Sequence, residues 1–284
     1  MKNNGITTSE VSCILGINPH KTAVELWEEM VGEKETETTE SMKIGSVLKE
    51  VAKKVWEDAS GKKIEKAEAP VKGHSVGTVC GTVDGQPVLV KTAPVAWDET
   101  PEEVEVQAQH VMGTNDEWNK VTVICLVTGF GKGLTTCEIE RDDVKIANIQ
   151  EAVETFWTEN VEGKNAPAPQ NIDDCRKIWG RNEDGTTVEA DEETAKAVAD
   201  LKETTAKIKA LEAEEEALKK TIMTAMGTNE ILTIGGKKAI SWKCNKDSSK
   251  VDYKGLVEAL APAADLLAEH TSTIPGARVF RVSK

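Results

Sequence analysis

Most of what this 284-residue chain lacks narrows what it can be. It has no run of eighteen apolar residues, so no membrane-spanning helix is expected. No signal-peptide pattern is present either, because Lys2-Asn3-Asn4 leads into a polar helix start. The six cysteines, Cys13, Cys80, Cys125, Cys137, Cys175 and Cys244, have no C-x-x-C spacing. That argues against zinc or an iron–sulfur cluster and for free buried thiols in a reducing cytoplasm. Four histidines are too few and too spread for a metal site. No internal repeat is present, and positive charge is short: the net charge is −14. A protein that follows duplex DNA must neutralise phosphates, which so acidic a surface does poorly.

What is present divides along the chain. From Thr7 to about Asn165, strand and helix signals alternate, as in an α/β domain. Helices are expected over Thr22–Val31, over Ser46–Ser60 with Gly61 just past its end, and over Asp142–Val161. Val47, Val51, Ala52, Val55 and Trp56 make the apolar side of the second, and Val144, Ile149, Val153, Phe156 and Trp157 that of the third. Val76–Val83 and Pro87–Thr92 read as strands around an Asp84-Gly85 turn. Val121–Thr128 and Leu134–Ile139 read as strands joined by a glycine-rich turn at 129–133. Asn165-Ala166-Pro167-Ala168-Pro169-Gln170 reads as a linker, since alternating prolines block helix and ladder. Asp191 then caps a long helix to Met226, with Val198, Leu201, Ile208, Leu211 and Leu218 on a coiled-coil-like stripe. Ile231–Ile234, Ala239–Lys243 and Val279–Val282 read as strands of a small terminal module, with a helix over Leu256–His270. The expected organisation is a first domain over 1–170, a long helix over 188–228 and a small α+β module over 229–284.

Of the seven tryptophans that could stack on bases, Trp27, Trp56 and Trp157 sit in apolar helical stripes and read as core. Trp97, in a loop near Pro94, is the one expected to be exposed.

The ribbon Thr78–Thr92, an apolar Gly-bearing run followed by Asp84-Gly85 and then Leu89-Val90-Lys91, resembles the active-site strands of PD-(D/E)XK nucleases. Further signatures extend the resemblance to the YqaJ-type viral recombinases, the lambda-exonuclease-like family. Gly5–Thr22 resembles that family's opening, and Glu25-Leu26-Trp27 with Gly32-Glu33 continues it. Gly45-Ser46-Val47-Leu48 resembles a helix start, Gln107-Ala108-Gln109-His110 a helix, and Glu138-Ile139-Glu140-Arg141-Asp142 a strand. The resemblance implies an α/β, PD-(D/E)XK nuclease-like core with a C-terminal coiled-coil helix and a small α+β module. It also implies a Mg²⁺-dependent site, in which two hard cations need at least two carboxylates beside a lysine.

This sequence departs from that pattern where the chemistry would be. The strand glutamate falls on Leu89 and the helix glutamate on Lys49. Glu50 is one position off, which rotates a helical side chain by about 100°. The paired tyrosines fall on Val104 and Glu105. Asp84, Lys91 and Gln107 remain as vestigial site residues, with Asp84 alone as a weak metal ligand. An alternative alignment would complete the site with Glu99, Glu102 or Glu103, in a segment that reads as a polar loop.

Two functions follow. One is a catalytically inactive phage protein, without a cofactor, that acts by binding a host defence or recombination nuclease or the phage's own recombination machinery. The alternative is an active Mg²⁺-dependent 5′→3′ exonuclease. Acidic blocks at Glu28–Glu40, Glu99–Glu105 and Glu183–Glu193, with basic residues gathered over Lys237–Lys284, favour a basic protein partner over duplex DNA. The long helix favours a homo-oligomer, and the expected location is the cytoplasm of a bacterial host.

Overall fold

The computed structural model describes residues 5–32, 39–129 and 133–272. The chain divides into two compact units, Met1–Gly180 and Arg181–Lys284. The first is a mixed α/β unit. In order it contains β1 (Ile6–Thr7), α1 (Val11–Ile14), α2 (Ala23–Val31), α3 (Glu40–Ser60), β2 (Val71–Lys72), β3 (Ser75–Val76), β4 (Thr82–Val83) and β5 (Gln86–Ala93). It continues through α4 (Glu102–Gly113), β6 (Lys120–Val127), β7 (Gly133–Glu140), α5 (Asp143–Thr155), a π-helical segment over Phe156–Glu162 and α6 (Ile172–Ile178).

The main sheet has the order β4-β5-β6-β7, with β5 parallel to β6 and the other pairs antiparallel. Alternation along β5 gives it two buried faces. Val88 and Val90 pack with Ala52 and Trp56 of α3. Leu89 packs with Val104, Ala108, Val111 and Met112 of α4. A small sheet, β1-β3-β2, lies beside it in the chain's connectivity, with β1 parallel to β3.

Local chemistry explains most boundaries. The Thr22 hydroxyl accepts from Glu25 N and the Glu25 carboxylate accepts from Thr22 N, a capping box that starts α2. Helix α3 starts at Glu40 rather than Ser46, because the Thr39 hydroxyl accepts from Met42 N. Only part of its expected apolar face is inside: Ala52 and Trp56 are buried, while Val47, Val51 and Val55 are exposed. Val144, expected on the core side of α5, is exposed as well. The Asp142 carboxylate caps that helix by accepting from Val144 N and Lys145 N.

The proline-rich stretch is tied down at its end and is not a free linker. Gln170 Oε1 accepts from Ala23 N at 3.1 Å, and buried Asp174 accepts from the Thr22 hydroxyl at 2.8 Å and from Gln170 N at 2.9 Å. These bonds carry the first unit on through α6.

The second unit contains α7 (Glu192–Met226), β8 (Ile231–Ile234), β9 (Lys237–Ser241), α8 (Tyr253–Leu260) and α9 (Ala264–Glu269). Asp191 caps α7 as expected, its carboxylate accepting from Thr194 N. The expected single helix over 256–270 is two helices, since Pro262 between them cannot continue an α-helical ladder. The expected strand Val279–Val282 lies outside the described residues, as does most of the glycine-rich turn at 129–133. Among the described residues no helix is long and apolar enough to cross a membrane.

The six cysteines are free. Cys13 and Cys125 are buried, and burial pushes the Cys13 thiol up to about 12. Cys244 is exposed, against the expectation of a buried thiol.

Candidate functional site around Lys91

Lys91 and Leu89 share a face of β5 because strand side chains alternate, and that face looks onto α4. The Lys91 ammonium donates a hydrogen bond to Gln107 Oε1, and Gln107 Nε2 donates to Glu103 Oε1 at 3.0 Å. Glu103 and Gln107 meet because residues four apart on a helix are neighbours. Burial pushes the Lys91 ammonium below the ordinary lysine range. The Glu103 charge opposes that shift and the Lys49 charge on α3 adds to it. Cys80 and Cys125 are close enough for their charges to act on Lys91 as well, and Cys125 is its register partner on β6.

Of the residues the sequence singled out, the structure gathers Lys91, Gln107, Leu89 and Lys49. It does not bring Asp84 to them. Asp84 and Gly85 form the two-residue turn of the β4–β5 hairpin, both at positive φ (52° and 75°), as a type I′ turn requires. The Asp84 carboxylate is 74 % exposed and ion-paired with Lys62 at 2.7 Å. The strand steps from Gln86 to Lys91 alone span roughly 17 Å. The tight hairpin explains the separation: β4 pairs with the Gln86 end of β5, and the backbone running back from it meets β5 at Val88, where Cys80 N donates to Val88 O at 2.9 Å and Val88 N donates to Gly81 O at 2.9 Å.

Leu89 is a core residue, 5 % exposed among α4 aliphatics. Glu103, assigned from sequence to a polar loop, stands in the first turn of α4 instead. Pro101 immediately before an acidic first turn was a legible helix-start signal. The rest of the Gln-x-Gln-His signature is structural. Gln109 Nε2 donates to Glu140 O at 2.8 Å and Gln109 Oε1 accepts from Asp142 N at 2.9 Å, fastening α4 to the β7–α5 junction. His110 turns away from Lys91 into the core, 1 % exposed, against the backbone of Ile6 and Val76. Neither of its ring nitrogens closes a hydrogen bond of normal geometry there. Arg141 donates to Met112 O at 2.7 Å and Trp118 O at 3.0 Å, clamping the end of α4. Trp97, expected to be exposed, is half-buried and lines a cavity of about 180 Å³ with Thr100, Cys125, Thr135 and Cys137.

The donor set around Lys91 does not fit Mg²⁺, which takes oxygen ligands in near-octahedral geometry. Glu103 supplies the carboxylate whose charge acts on Lys91; Leu89 supplies methyls, Lys49 a competing positive charge, and Asp84 is at the far end of the strand. Among the described residues no group of three His, Cys, Asp or Glu side chains is placed to hold a metal ion.

Residues 1–117 match the YqaJ-like viral recombinase domain. An uncharacterized protein, YqaJ, of Bacillus subtilis (strain 168) is 31 % identical over 182 residues, 59 % of this chain and 56 % of that protein. The chain thus spans little more than half the length of this relative. Among solved structures, an alkaline exonuclease from Laribacter hongkongensis is similar at 19 % identity and a TM-score of 0.47, over 57 % of this chain and 89 % of that one. A phage-related exonuclease from Haemophilus somnus 129PT is similar at 17 % identity and a TM-score of 0.45, over 57 % and 96 %.

Proposed function

We propose that this chain, whose residues 1–117 are a YqaJ-like viral recombinase domain, acts by binding and not by cutting. The sheet β4-β5-β6-β7 between α3 and α4 is read as a PD-(D/E)XK nuclease-like core that has lost its metal site. One observation carries the reading: where a second carboxylate would have to stand beside Lys91, the methyls of Leu89 are packed into the α4 core. Leucine has no oxygen for a cation, and Lys49 adds repulsion from the other side of the strand. A single carboxylate, itself tied to Gln107, cannot both hold a metal ion and activate water.

The binding partner in this reading is a protein, a basic DNA-processing or defence protein of the host or of phage recombination. The support is charge. The chain carries 49 acidic against 35 basic residues, which steers basic surfaces toward it and lowers its affinity for phosphates. Helix α7 serves self-association, with the residues after it as a small α+β module.

The test is incubation of purified full-length chain with linear duplex DNA in Mg²⁺ or Mn²⁺. No digestion above background is expected. Robust digestion, abolished by Glu103→Gln or Asp84→Ala, would replace this reading with the active 5′→3′ exonuclease.

A further inference from the structure

Antiparallel pairing of β6 with β7 sets Cys125 opposite Thr135 and Cys137 opposite Val123. Cross-strand partners share a face and the side-chain period is two, so the two thiols are diagonal neighbours on one face of the sheet. They border the same cavity of about 180 Å³, which Trp97, Asp98, Glu99 and Thr100 flank from the segment after β5. Cys125 is buried and Cys137 half-buried. The Thr135 side chain hydrogen-bonds the Cys125 thiol, and Thr100 Oγ1 lies 3.6 Å from Cys137 Sγ. Cys80, the other thiol near Lys91, packs on the α3 side instead.

The spacing suits an ion between the sulfurs better than a bond between them. Diagonal neighbours have Cα atoms about 7–8 Å apart, outside the roughly 4.4–6.8 Å over which a disulfide closes. One ion with metal–sulfur bonds of about 2.3 Å would hold the sulfurs roughly 4.6 Å apart. Charge favours a cation as well. No lysine, arginine or histidine lines the cavity, and Asp98 and Glu99, both exposed on its rim, make no ion pair among the described residues. Burial raises the Cys125 thiol, while the Thr135 hydrogen bond and the Lys91 charge act the other way. A monovalent ion held by two thiolates carries one net negative charge, and Lys91, the register partner of Cys125, is placed to offset it.

From this geometry we propose that Cys125 and Cys137 form a two-coordinate site for one soft monovalent cation, of which Cu(I) is the biological representative. Thiolates select such ions by softness. Binding is ligand exchange without a redox step: two sulfur–metal bonds form and the two thiol protons pass to solvent. Zinc is disfavoured, because it takes four ligands and no third His, Cys, Asp or Glu side chain is placed with the pair among the described residues. The site lies beside the Lys91 cluster and stands whether or not the chain cuts DNA.

The probe is Cu(I) presented as its coloured bicinchoninate complex to the reduced full-length chain without oxygen. The chain should withdraw one equivalent of copper, and X-ray absorption of that copper should show two sulfur neighbours. Cys125→Ser and Cys137→Ser should each weaken the withdrawal at least tenfold, whereas Cys244→Ser, which removes the exposed thiol, should leave it unchanged. Circular dichroism checks each variant; if Cys125→Ser fails to fold, the half-buried Cys137→Ser and the absorption spectrum of the parent decide. Zn(II) offered with an indicator dye should stay with the dye. An undisturbed bicinchoninate complex, copper without a pair of sulfur neighbours, or withdrawal that folded Cys125→Ser and Cys137→Ser leave intact would overturn the proposal. So would loss of binding in Cys244→Ser, which would assign the copper to the surface thiol, or Zn(II) held as tightly as Cu(I).

Discussion

Asp84 and Lys91 lie at opposite ends of β5: the first is ion-paired with Lys62 at the hairpin tip, the second is hydrogen-bonded to Gln107 under α4. The Asp84 charge reaches Lys120 at the start of β6, whereas Lys91 pairs in register with Cys125 near its end. Two residues seven apart in sequence thus serve different neighbourhoods, because the tight Asp84-Gly85 turn leaves no room for the first strand to run back carrying an aspartate beside the lysine.

This separation bears on reversal of the substitutions. Leu89→Glu with Lys49→Glu would return both glutamates suggested by the family pattern. The first places a carboxylate among Val104, Ala108 and Val111, where burying a second charge in an apolar core is costly even on the face that carries Lys91. We expect the double variant to lose about 3 kcal/mol or more of stability in urea unfolding. It should gain no stoichiometric Mg²⁺ site by calorimetry. Tight Mg²⁺ binding by a folded double variant would contradict the Lys91 geometry described here.

The elements of the fold were legible wherever a local signal fixed them. Thr22 and Glu25 announce α2, Gly61 ends α3 at φ 70°, and the β-branched run at 121–127 is β6. The site was legible only in part. Strand alternation put Lys91 and Leu89 on one face, and helical spacing let Gln107 meet Glu103. Neither could give the hairpin register that carries Asp84 away, because register is a property of two strands and their turn. Likewise His110 and Gln107 share a helical face by spacing, yet one is swallowed by β1 and β3 while the other reaches β5. Which side of an amphipathic helix is covered also depends on what tertiary structure presses against it, so α3's valines were wrongly expected inside.

His110 offers a pH test. Burial holds its imidazole down to about 4, below the 6.5 of an unfolded chain. The unfolded state therefore binds more protons between those values. The stabilisation is fully present above pH 6.5 and is lost as pH falls toward 4. Unfolding free energy should drop by about 2 kcal/mol from pH 7 to pH 5 on account of this group. His110→Leu should flatten the dependence over that interval, which lies above the range where depressed carboxylates such as Glu154 titrate. An equally steep dependence in His110→Leu would assign the effect elsewhere.

Lys91 is held at a cost to the fold. Its pKa is lowered, chiefly by burial, so the folded state disfavours the charged form. That penalty is largest at neutral pH and disappears as pH rises toward the unfolded value of 10.5. Lys91→Met keeps the aliphatic stem and removes the charge. We expect a higher melting temperature at pH 7 and a gain that shrinks at pH 10. A destabilised Lys91→Met would mean that the bond to Gln107 outweighs the desolvation of the ammonium.

Helix α7 has the remaining test. At about 1.5 Å per residue its length is roughly 52 Å, and of its side chains only Met226 is buried among the described residues. Val198, Leu201, Ile208, Leu211 and Leu218 are all exposed. A helix in water draws most of its stability from packing an apolar stripe, so a helix with these side chains bare is expected to find a partner. Pairing of α7 with its counterpart in a second copy would cover the stripe over several heptads and yield a homo-oligomer. Light scattering of the full-length chain should give more than the 30.8 kDa of one copy. Ile208→Asp with Leu218→Asp should return the mass to that of a monomer and lower the helical circular dichroism signal at the same concentration. A monomeric mass in the parent protein would remove self-association as the role of this helix.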